Sequence, residues 1–470
     1  SDLGEAMIEM KASEIAAVVG GVLHGDDILV TAPAFLNSAH CQPGSIFLAI
    51  KGENVDGHDF VADAFAQGAV VALASREVGV RSIVVADVTA AVSQLATYVR
   101  NQLDDISVIG ITGSQGKTTT KELLASVLAS QGVTVSPKGN NNNELGVPIT
   151  LLQCTRETRY CIVEMGARHE GDIASLVKIA RPQIGVVLRV AAAHIGEFGS
   201  LAAIARAKSE MVQDLDPDGV AIVGQYDDFT PKMATLHSGT VLTFGETSNA
   251  DVRAADIELR EGRPYFELVT PEGRATVALR LFGLHQISNA LAAAAVAHAL
   301  GISAEVIAGA LSTAESHARW RMEVKSLGDL TLINDAYNAS PDSMAAALTT
   351  LAHLSQERGG ESWAFVGNMR ELGDSSQQAH ADIAALASQL GIDHLVTVNA
   401  PDYLSGIPAD SQTEIHRCDD KESALTVAHF INRGDVVLCK ASRSDRLEEL
   451  AEGIEAMWRV KLEEEEGSKE

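Results

Sequence analysis

The sequence reads Thr112-Gly113-Ser114-Gln115-Gly116-Lys117-Thr118 directly after the apolar run Val108-Ile109-Gly110-Ile111. Glycines in such a loop let successive backbone N–H groups point at phosphate oxygens, while the lysine reaches the outer phosphates and the Thr118 hydroxyl can bind Mg²⁺. Leu and Val then recur at helical spacing up to residue 128, and a helix N-terminus adds partial positive charge. The pattern predicts a strand, a phosphate-binding loop (residues 112–118, the phosphate loop) and a helix, although Ile111 stands where a Walker A loop usually has its first glycine.

Strand-like and helix-like segments alternate on both sides of the phosphate loop. Such alternation indicates parallel sheets that are covered on both faces. We therefore predict an α/β protein with three domains, over residues 1–103 (the first block), 104–316 (the central block) and 317–470 (the third block). Three domains agree with about 150 residues per domain. An Ala-rich helix is predicted over residues 288–300. The predicted strands are 46–50, 70–73, 83–86, 108–111, 161–163, 184–188, 220–223, 331–333, 363–366, 395–398 and 436–439.

The composition excludes several classes of function. The 470 residues are 46% hydrophobic, which is enough to form folded cores, and 36 Lys and Arg against 63 Asp and Glu give a net charge of −27. Such a surface repels nucleic-acid backbones and anionic membranes. The sequence has no apolar run long enough to span a membrane, and its five scattered Cys residues favour a reducing, cytoplasmic location.

Polar residues near the predicted strands are candidates for chemistry. Glu164 ends the strand 161–163, so its carboxylate is expected to face the ligand crevice, where it can hold Mg²⁺. His194 follows the strand 184–188, and Lys208 lies on a helical stretch, although a lone histidine or lysine is usually structural or solvated. The run Asn140-Asn141-Asn142-Asn143 predicts a loop ordered by side-chain hydrogen bonds.

Taken together, these motifs resemble the ATP-dependent Mur ligases of peptidoglycan synthesis over nearly the whole chain. The segment 334–344 is similar to the member of that family that adds a dipeptide. The stretches that carry the resemblance are 112–118, 139–148, 164–167, 194–200, 283–290, 334–344, 369–373 and 440–443.

The resemblance implies three domains: a UDP-sugar-binding domain, a P-loop-like ATPase centre with a parallel sheet, and a Rossmann-like ligase domain. It implies ATP and Mg²⁺ as cofactors and UDP-N-acetylmuramoyl-tripeptide and D-alanyl-D-alanine as substrates. The tripeptide carboxylate would attack the γ-phosphate, and the dipeptide amine would displace phosphate from the resulting acyl phosphate. We expect a cytoplasmic monomer with no nucleic-acid partner and no membrane span.

The resemblance also implies roles for individual residues. Lys117, Glu164, His194 and Lys208 would be catalytic, with Lys208 carbamylated so that it becomes a metal-binding carboxylate. The implied metal ligands are Thr118, Glu164, His194 and Lys208. The implied ATP contacts are Gly113, Ser114, Gln115, Gly116, Lys117, Thr118, Thr119, Asn289, Arg321 and Asp335. The implied substrate contacts are Ser38, Asn140, Asn142, Asn143, Tyr337, Asn338, Lys440, Ser442 and Arg443.

Several positions depart from the family pattern. The first block has Asn37-Ser38-Ala39 in place of Asp-Ser-Arg, Arg189 replaces an Asn, and residues 224–227 replace Asn-Ala-Asp-Asp. Two alternatives therefore stay open: another carboxylate–amine ligase of the Mur or folylpolyglutamate type, or a nucleotide-binding paralogue without catalysis. These departures leave the phosphate loop and the candidate metal ligands unchanged. Nucleotide binding alone would not need Glu164, His194 and Lys208 together, which argues against the paralogue without catalysis.

Overall fold

The structure is a computed structural model, and it describes residues 6–137, 145–192, 195–315 and 321–468. Strands and helices alternate throughout these ranges, which confirms the α/β class. Each predicted strand is present, with bounds that differ from the prediction by one or two residues. No helix in the described ranges is both long and apolar enough to cross a membrane.

The first block forms a five-stranded sheet among the described residues, plus the short pair Met10–Lys11 and Leu29–Val30. The edge strand Val22–His24 pairs antiparallel with Ser82–Val84, and the other strand pairs of this sheet are parallel. In spatial order its strands are Val22–His24, Ser82–Val84, Val71–Ala74, Ile46–Leu48 and Ala34–Phe35. Its α-helices are Ala12–Val19, Val61–Ala66 and Val88–Asn101.

The central block forms a nine-stranded sheet within the part of the chain that the structure describes. In spatial order its strands are Gly273–Ala278, Arg263–Thr270, Val252–Arg260, Thr240–Gly245, Val220–Gly224, Ile184–Val187, Ser107–Thr112, Tyr160–Glu164 and Thr134–Val135. Its α-helices are Lys117–Ala129, Gly146–Leu152, Asp172–Ala180, Ile195–Phe198, Leu201–Gln213, Gln286–Ala299 and Ala304–Thr313.

Each of the three sheets also carries antiparallel strands at one edge, among the residues that the structure describes. In the central sheet the last three strands, 252–278, form antiparallel hairpins. Glu261 and Gly262 connect the first hairpin with φ of 49° and 77°, the positive values that a tight two-residue turn requires. A turn of two residues leaves no room for a helical crossover, so the strands must run in opposite directions.

The third block forms a six-stranded sheet among the residues described, with its first pair antiparallel and the rest parallel. In spatial order its strands are Glu323–Leu327, Leu330–Asn334, Val436–Lys440, Ser362–Val366, His394–Val398 and Glu414–Cys418. Its α-helices are Pro341–Arg358, Ser376–Gln389, Lys421–Val427 and Glu448–Gly467.

Hydrophobic cores show how the three sheets are joined. One continuous core contains Ile46 and Val71 of the first sheet together with Val108 and Met211 of the central block. The third sheet has its own core on each face. The chain passes from the first sheet to the central sheet between residues 84 and 107, and from the central sheet to the third between residues 278 and 323. The proposed domain bounds at 103/104 and 316/317 lie within these two connecting segments.

Candidate functional site

The candidate site is a cleft of about 1110 Å³ between the central and third sheets. It lies at the carboxyl ends of parallel strands, where α/β proteins place their ligands. The central block contributes the phosphate loop from residue 114 onward and the start of the helix Gln286–Ala299, and the third block contributes residues that follow three of its strands. A volume of this size admits a ligand larger than an ordinary drug-sized molecule.

The phosphate loop leads into the helix Lys117–Ala129, whose N-cap residue is Gly116. The backbone N–H of Ser114 donates to Arg189 O at 2.9 Å, and its hydroxyl accepts from the N–H of Ala191 at 2.9 Å. The Nζ of Lys117 donates to Gly113 O at 2.7 Å, so the lysine folds back over its own loop. This arrangement holds the lysine where an anion in the loop would replace the carbonyl as its partner.

Gly116 is held in place by Asn289 from the helix Gln286–Ala299. A Cβ at this position would lie 2.3 Å from Asn289 Oδ1, and the φ of 84° is one that only glycine adopts readily. Asn289 is itself fixed, because its Nδ2 donates to Gln286 Oε1 at 3.0 Å. The predicted ATP contact Asn289 therefore lies directly beneath the phosphate loop.

We expect Gly116→Ala to weaken ATP binding at least tenfold, since a loss of about 1.4 kcal/mol is tenfold in affinity. The left-handed backbone alone costs a non-glycine residue about 1–2 kcal/mol, and the contact with Asn289 would add to it. Calorimetric titration with ATP measures the effect. Gly171→Ala is the matched control, because Gly171 has φ of 96° but no atom within 4 Å of its Cβ position. Unchanged ATP affinity in Gly116→Ala would contradict this account of the loop.

Glu164 supplies a buried carboxylate beside the phosphate loop. It ends the strand Tyr160–Glu164 in register with Ile111, and it is only 1% exposed. Lys121 Nζ lies 3.3 Å from Oε1, yet neither carboxylate oxygen accepts a hydrogen bond from the described residues. A buried carboxylate without hydrogen bonds is costly, so the observation fits a site whose remaining partner is a cation.

Two lysines that repel each other, Lys117 and Lys208, carry depressed pKa values. Burial lowers the pKa of Lys117; Glu164 opposes the shift and Arg321 adds to it. Lys208, on the helix Leu201–Gln213, is 4% exposed, and burial followed by repulsion from Lys117 lowers its pKa to about 7. Its Nζ has no hydrogen bond or ion pair with any described residue. Because the pKa of Lys208 is about 7, a substantial fraction of the amine is neutral near neutral pH.

On the opposite wall, Lys440 and Asp335 form a buried ion pair. Lys440 Nζ lies 2.7 Å from Asp335 Oδ2 and also donates to Asn338 O at 2.9 Å. Asp335 Oδ1 accepts from the N–H of Met322 at 3.0 Å. The ion pair holds the segment 335–338 against the strand Val436–Lys440. Within this segment, the Tyr337 ring is stacked by the Arg321 guanidinium, which lies 4.1 Å from the ring centre.

The two walls are bonded to each other. Gln115 Nε2 of the phosphate loop donates to Ser340 Oγ at 2.8 Å, and Ser340 is the N-cap of the helix Pro341–Arg358. The N–H of Gly196 donates to Glu371 O at 2.9 Å. The phosphate loop and the third block thus meet across the cleft.

The predicted site residues separate into four groups. Gly113, Glu164 and Lys208 do not line the cleft itself; they lie in the phosphate loop, at the end of the strand Tyr160–Glu164 and on the helix Leu201–Gln213, respectively. The structure brings together along the cleft Ser114, Gln115, Gly116, Lys117, Thr118, Thr119, Asn289, Arg321, Asp335, Tyr337, Asn338, Lys440, Ser442 and Arg443. Ser38 is not part of the cleft; it lies in the first block, where its hydroxyl donates to Asp63 at 2.7 Å. His194, Asn140, Asn142 and Asn143 lie outside the described residues.

Sequence reasoning missed several residues that line the cleft or lie next to residues of the site. His285 lines the cleft, and burial lowers its pKa to about 4, so the ring is neutral near pH 7. Lys121 was missed although it follows Lys117 by one helical turn. Arg189 and Tyr226, which both depart from the family pattern, contact each other with the guanidinium 5.2 Å from the ring centre.

The charge of the cleft is opposite to that of the whole chain. Eight Lys and Arg residues and four Asp and Glu residues are among the described residues that line it, although the chain carries −27 overall. A concentration of guanidinium and ammonium groups in a crevice attracts polyanions. With a phosphate loop at one end, the arrangement is suited to binding a nucleoside triphosphate beside a second anionic substrate.

Comparison with known families matches three parts of the chain. Residues 35–109 match "Mur ligase family, catalytic domain", residues 111–297 match "Mur ligase middle domain", and residues 320–443 match "Mur ligase, glutamate ligase domain". These matches divide the chain in nearly the same places as its three sheets.

Known proteins are similar over almost the full length. UDP-N-acetylmuramoyl-tripeptide–D-alanyl-D-alanine ligase of Mycobacterium tuberculosis is 40% identical, covering 96% of this chain and 98% of that protein. A crystal structure of MurF from Acinetobacter baumannii aligns with TM-score 0.86 and 36% identity, covering 96% of this chain and 99% of that one. MurF ligase from Thermotoga maritima in complex with ADP aligns with TM-score 0.79 and 29% identity, covering 91% and 98%.

Proposed function

The chain belongs to the Mur ligase family, and we propose that it is the ATP-dependent ligase that adds D-alanyl-D-alanine to UDP-N-acetylmuramoyl-tripeptide. The observation that best supports this proposal is a cationic cleft with the phosphate loop on one wall and residues of the segment 334–344 on the other. Full-length similarity to ligases named for this reaction supports the same choice of substrates.

ATP would bind with its phosphates in the phosphate loop. The supporting geometry is the glycine-bearing turn at the start of the helix Lys117–Ala129, where Lys117 Nζ lies 2.7 Å from Gly113 O and Asn289 lies against Gly116. The related Thermotoga maritima ligase was solved in complex with ADP, which supports an adenine nucleotide as the ligand. Arg321 and Asp335 would complete the nucleotide site from the third block, since both line the cleft.

Mg²⁺ would be held beside the phosphates by oxygen ligands from Thr118 and Glu164, with His194 and a carbamylated Lys208 as further ligands. The fit rests on Glu164, whose two buried oxygens accept no hydrogen bond from the described residues. Carboxylate and hydroxyl oxygens are the ligands that Mg²⁺ prefers. When bound, the ion would neutralise charge on the phosphate oxygens.

The reaction requires two anions to meet, namely the tripeptide carboxylate and the γ-phosphate of ATP. Lys117 and Arg321 would lower their mutual repulsion and stabilise charge on the transferring phosphoryl group. The carboxylate oxygen bonds to the γ-phosphorus as the bond to ADP breaks. The dipeptide amine then attacks the acyl carbon, and inorganic phosphate leaves with the electron pair of the broken C–O bond.

The Asp335–Lys440 pair would shape the acceptor end of this cleft. It fixes the segment 335–338, so that Tyr337 and Asn338 are available to the substrates. Ser442 and Arg443 follow the same strand as Lys440 and also line the cleft. Ser38 and the asparagines 140, 142 and 143 stay predicted contacts of the UDP-sugar substrate.

Acceptor specificity provides the test. With ATP and UDP-N-acetylmuramoyl-tripeptide, we expect phosphate release to depend on D-alanyl-D-alanine, and the product mass to rise by one dipeptide. Mass spectrometry of reactions with D-alanyl-D-alanine, diaminopimelate, lysine or glutamate separates the alternatives. Preference for a single amino acid would identify a neighbouring ligase. ATP binding without phosphate release under any condition would identify a silent paralogue.

Location and assembly are proposed on other grounds. We propose a cytoplasmic location, because the substrates are nucleotide-linked and all five cysteines are free and buried. A monomer and the domain bounds 1–103, 104–316 and 317–470 also stay proposals.

A further inference from the structure

A second cluster of potential ligands lies at the other end of the third sheet. His394 starts the strand His394–Val398, and Glu414 and His416 lie at the start of the adjacent strand Glu414–Cys418. The strands are parallel, and His394 is in register with Glu414. The cluster is therefore at the amino ends of the strands, whereas the cleft is at their carboxyl ends.

The three side chains converge on one point. Nδ1 of His394 lies 3.2 Å from Nε2 of His416 and 3.4 Å from Oε2 of Glu414. Nε2 of His416 lies 3.7 Å from Oε1 of Glu414. Within the described ranges, this is the one group of three or more His, Cys, Asp or Glu residues whose ligand atoms all lie within 4.8 Å of one another.

A fourth residue orients the central histidine. Oε2 of Glu361 lies 2.8 Å from Nε2 of His394, and since a carboxylate only accepts, this nitrogen carries the proton of the neutral ring. Nδ1 then presents its lone pair to His416 and Glu414. A carboxylate that fixes the tautomer of a ligating histidine is a recurring feature of metal sites.

Packing further immobilises the same ring. The Trp363 indole stacks on His394 with 3.6 Å between ring centres and 9° between planes. The indole N–H in turn donates to Asp435 Oδ2 at 3.0 Å. The His394 side chain is 11% exposed and that of Glu414 is 64% exposed. His394 is therefore a buried, rigid ligand, and Glu414 is a ligand that solvent can reach.

We propose that His394, Glu414 and His416 bind a divalent transition-metal ion of the zinc class. Tetrahedral zinc with Zn–N bonds of about 2.0–2.1 Å places two nitrogens about 3.3 Å apart, close to the spacing of the two imidazoles. Two imidazoles and a carboxylate suit zinc, and water would complete the coordination. The proposal does not depend on the ligase assignment, because none of these residues lines the cleft.

Equilibrium dialysis against Zn²⁺ tests the proposal, using the full chain without a polyhistidine tag and with excess Mg²⁺ to occupy sites that prefer oxygen ligands. We expect one Zn²⁺ per chain in the wild type and loss of that ion in His416→Gln. Glu361→Gln should weaken binding about 10- to 100-fold, the usual effect of removing an outer carboxylate. His24→Gln is the matched control, because among the residues described here His24 has one ion-pair partner, Glu77, at 3.3 Å.

Tryptophan fluorescence gives a second readout that does not depend on catalysis. Because Trp363 stacks on His394, Cu²⁺ bound at this cluster should quench its emission, and His416→Gln should reduce that quenching. Equal zinc binding by wild type and His416→Gln, or no zinc retained by the wild type, would overturn the proposal. Ligase turnover with Mg²⁺ should be the same in both proteins, and its loss in the variant alone would show that the substitution disturbs the fold.

Discussion

Replacing Lys117 with alanine should lower kcat about 10²–10³-fold while the fold persists. Lys117 is the ammonium group at the start of the phosphate-loop helix, with its Nζ 2.7 Å from the carbonyl of Gly113. Its removal takes away charge that stabilises the transferring phosphoryl group, and loss of one such donor usually costs about 10²–10³-fold. A phosphate-release assay at saturating ATP measures kcat, and circular dichroism checks the fold.

A matched variant separates this effect from a general loss of positive charge. Lys178 lies exposed on the helix Asp172–Ala180, away from the cleft, so Lys178→Ala should leave kcat unchanged. Near-normal turnover in folded Lys117→Ala would remove the phosphate loop from the reaction. A rise in the KM for ATP with unchanged kcat would limit Lys117 to ground-state binding.

Lys208→Ala should be nearly inactive, and short carboxylates such as acetate should restore part of the activity. Carbon dioxide adds only to a neutral amine: the nitrogen forms a bond to carbon, one proton leaves, and the lysine becomes an anionic carbamate. Burial supplies the neutral amine, since the pKa of Lys208 is lowered to about 7. The carbamate would then serve as an oxygen ligand near Glu164. Phosphate release with and without added acetate measures the rescue.

The pH dependence follows from the same pKa. As pH falls through about 7, Lys208 gains a proton and the fraction available to carbon dioxide decreases. Wild-type activity should therefore fall on the acid side when bicarbonate is removed, and added bicarbonate should restore it. Arg206→Ala, an exposed position on the same helix, should behave as the wild type. Full activity of Lys208→Ala would refute the carbamate.

Local sequence signals predicted the parts of the site that depend on neighbours in the chain. The phosphate loop could be predicted because a strand, two glycines, Lys117 and a helix follow one another without interruption. The strand ending at Glu164 could be predicted from its apolar run, and its parallel direction then placed the carboxylate at the correct edge. Resemblance to a family supplied Arg321, Asp335 and Lys440, which no local pattern indicates.

Contacts between distant residues could not be predicted in this way. The Gln115–Ser340 hydrogen bond joins positions 225 residues apart, and Asp335–Lys440 joins positions 105 apart. The antiparallel hairpins of residues 252–278 were missed, and their pairing register shifts between Ala255 and Glu258. His394 and His416 have no shared motif, and only the pairing of their strands brings them together.

The hydrophobic core shared by the first and central sheets makes those two blocks a single cooperative unit in unfolding. Buried Arg100 of the first block strengthens the connection, since its guanidinium donates to the carbonyls of Ala180 and Arg181 at 2.9 and 3.0 Å. Heat or denaturant cannot melt one of these sheets without exposing the apolar face of the other. The third block has separate cores on both faces of its sheet, and of the central block only Ala192, Ile195 and Phe282, among the described residues, pack against them, so it is joined more weakly to the rest. Two ligands that bind across the cleft would therefore couple a unit of about 300 residues to one of about 150, and would raise the stability of both together.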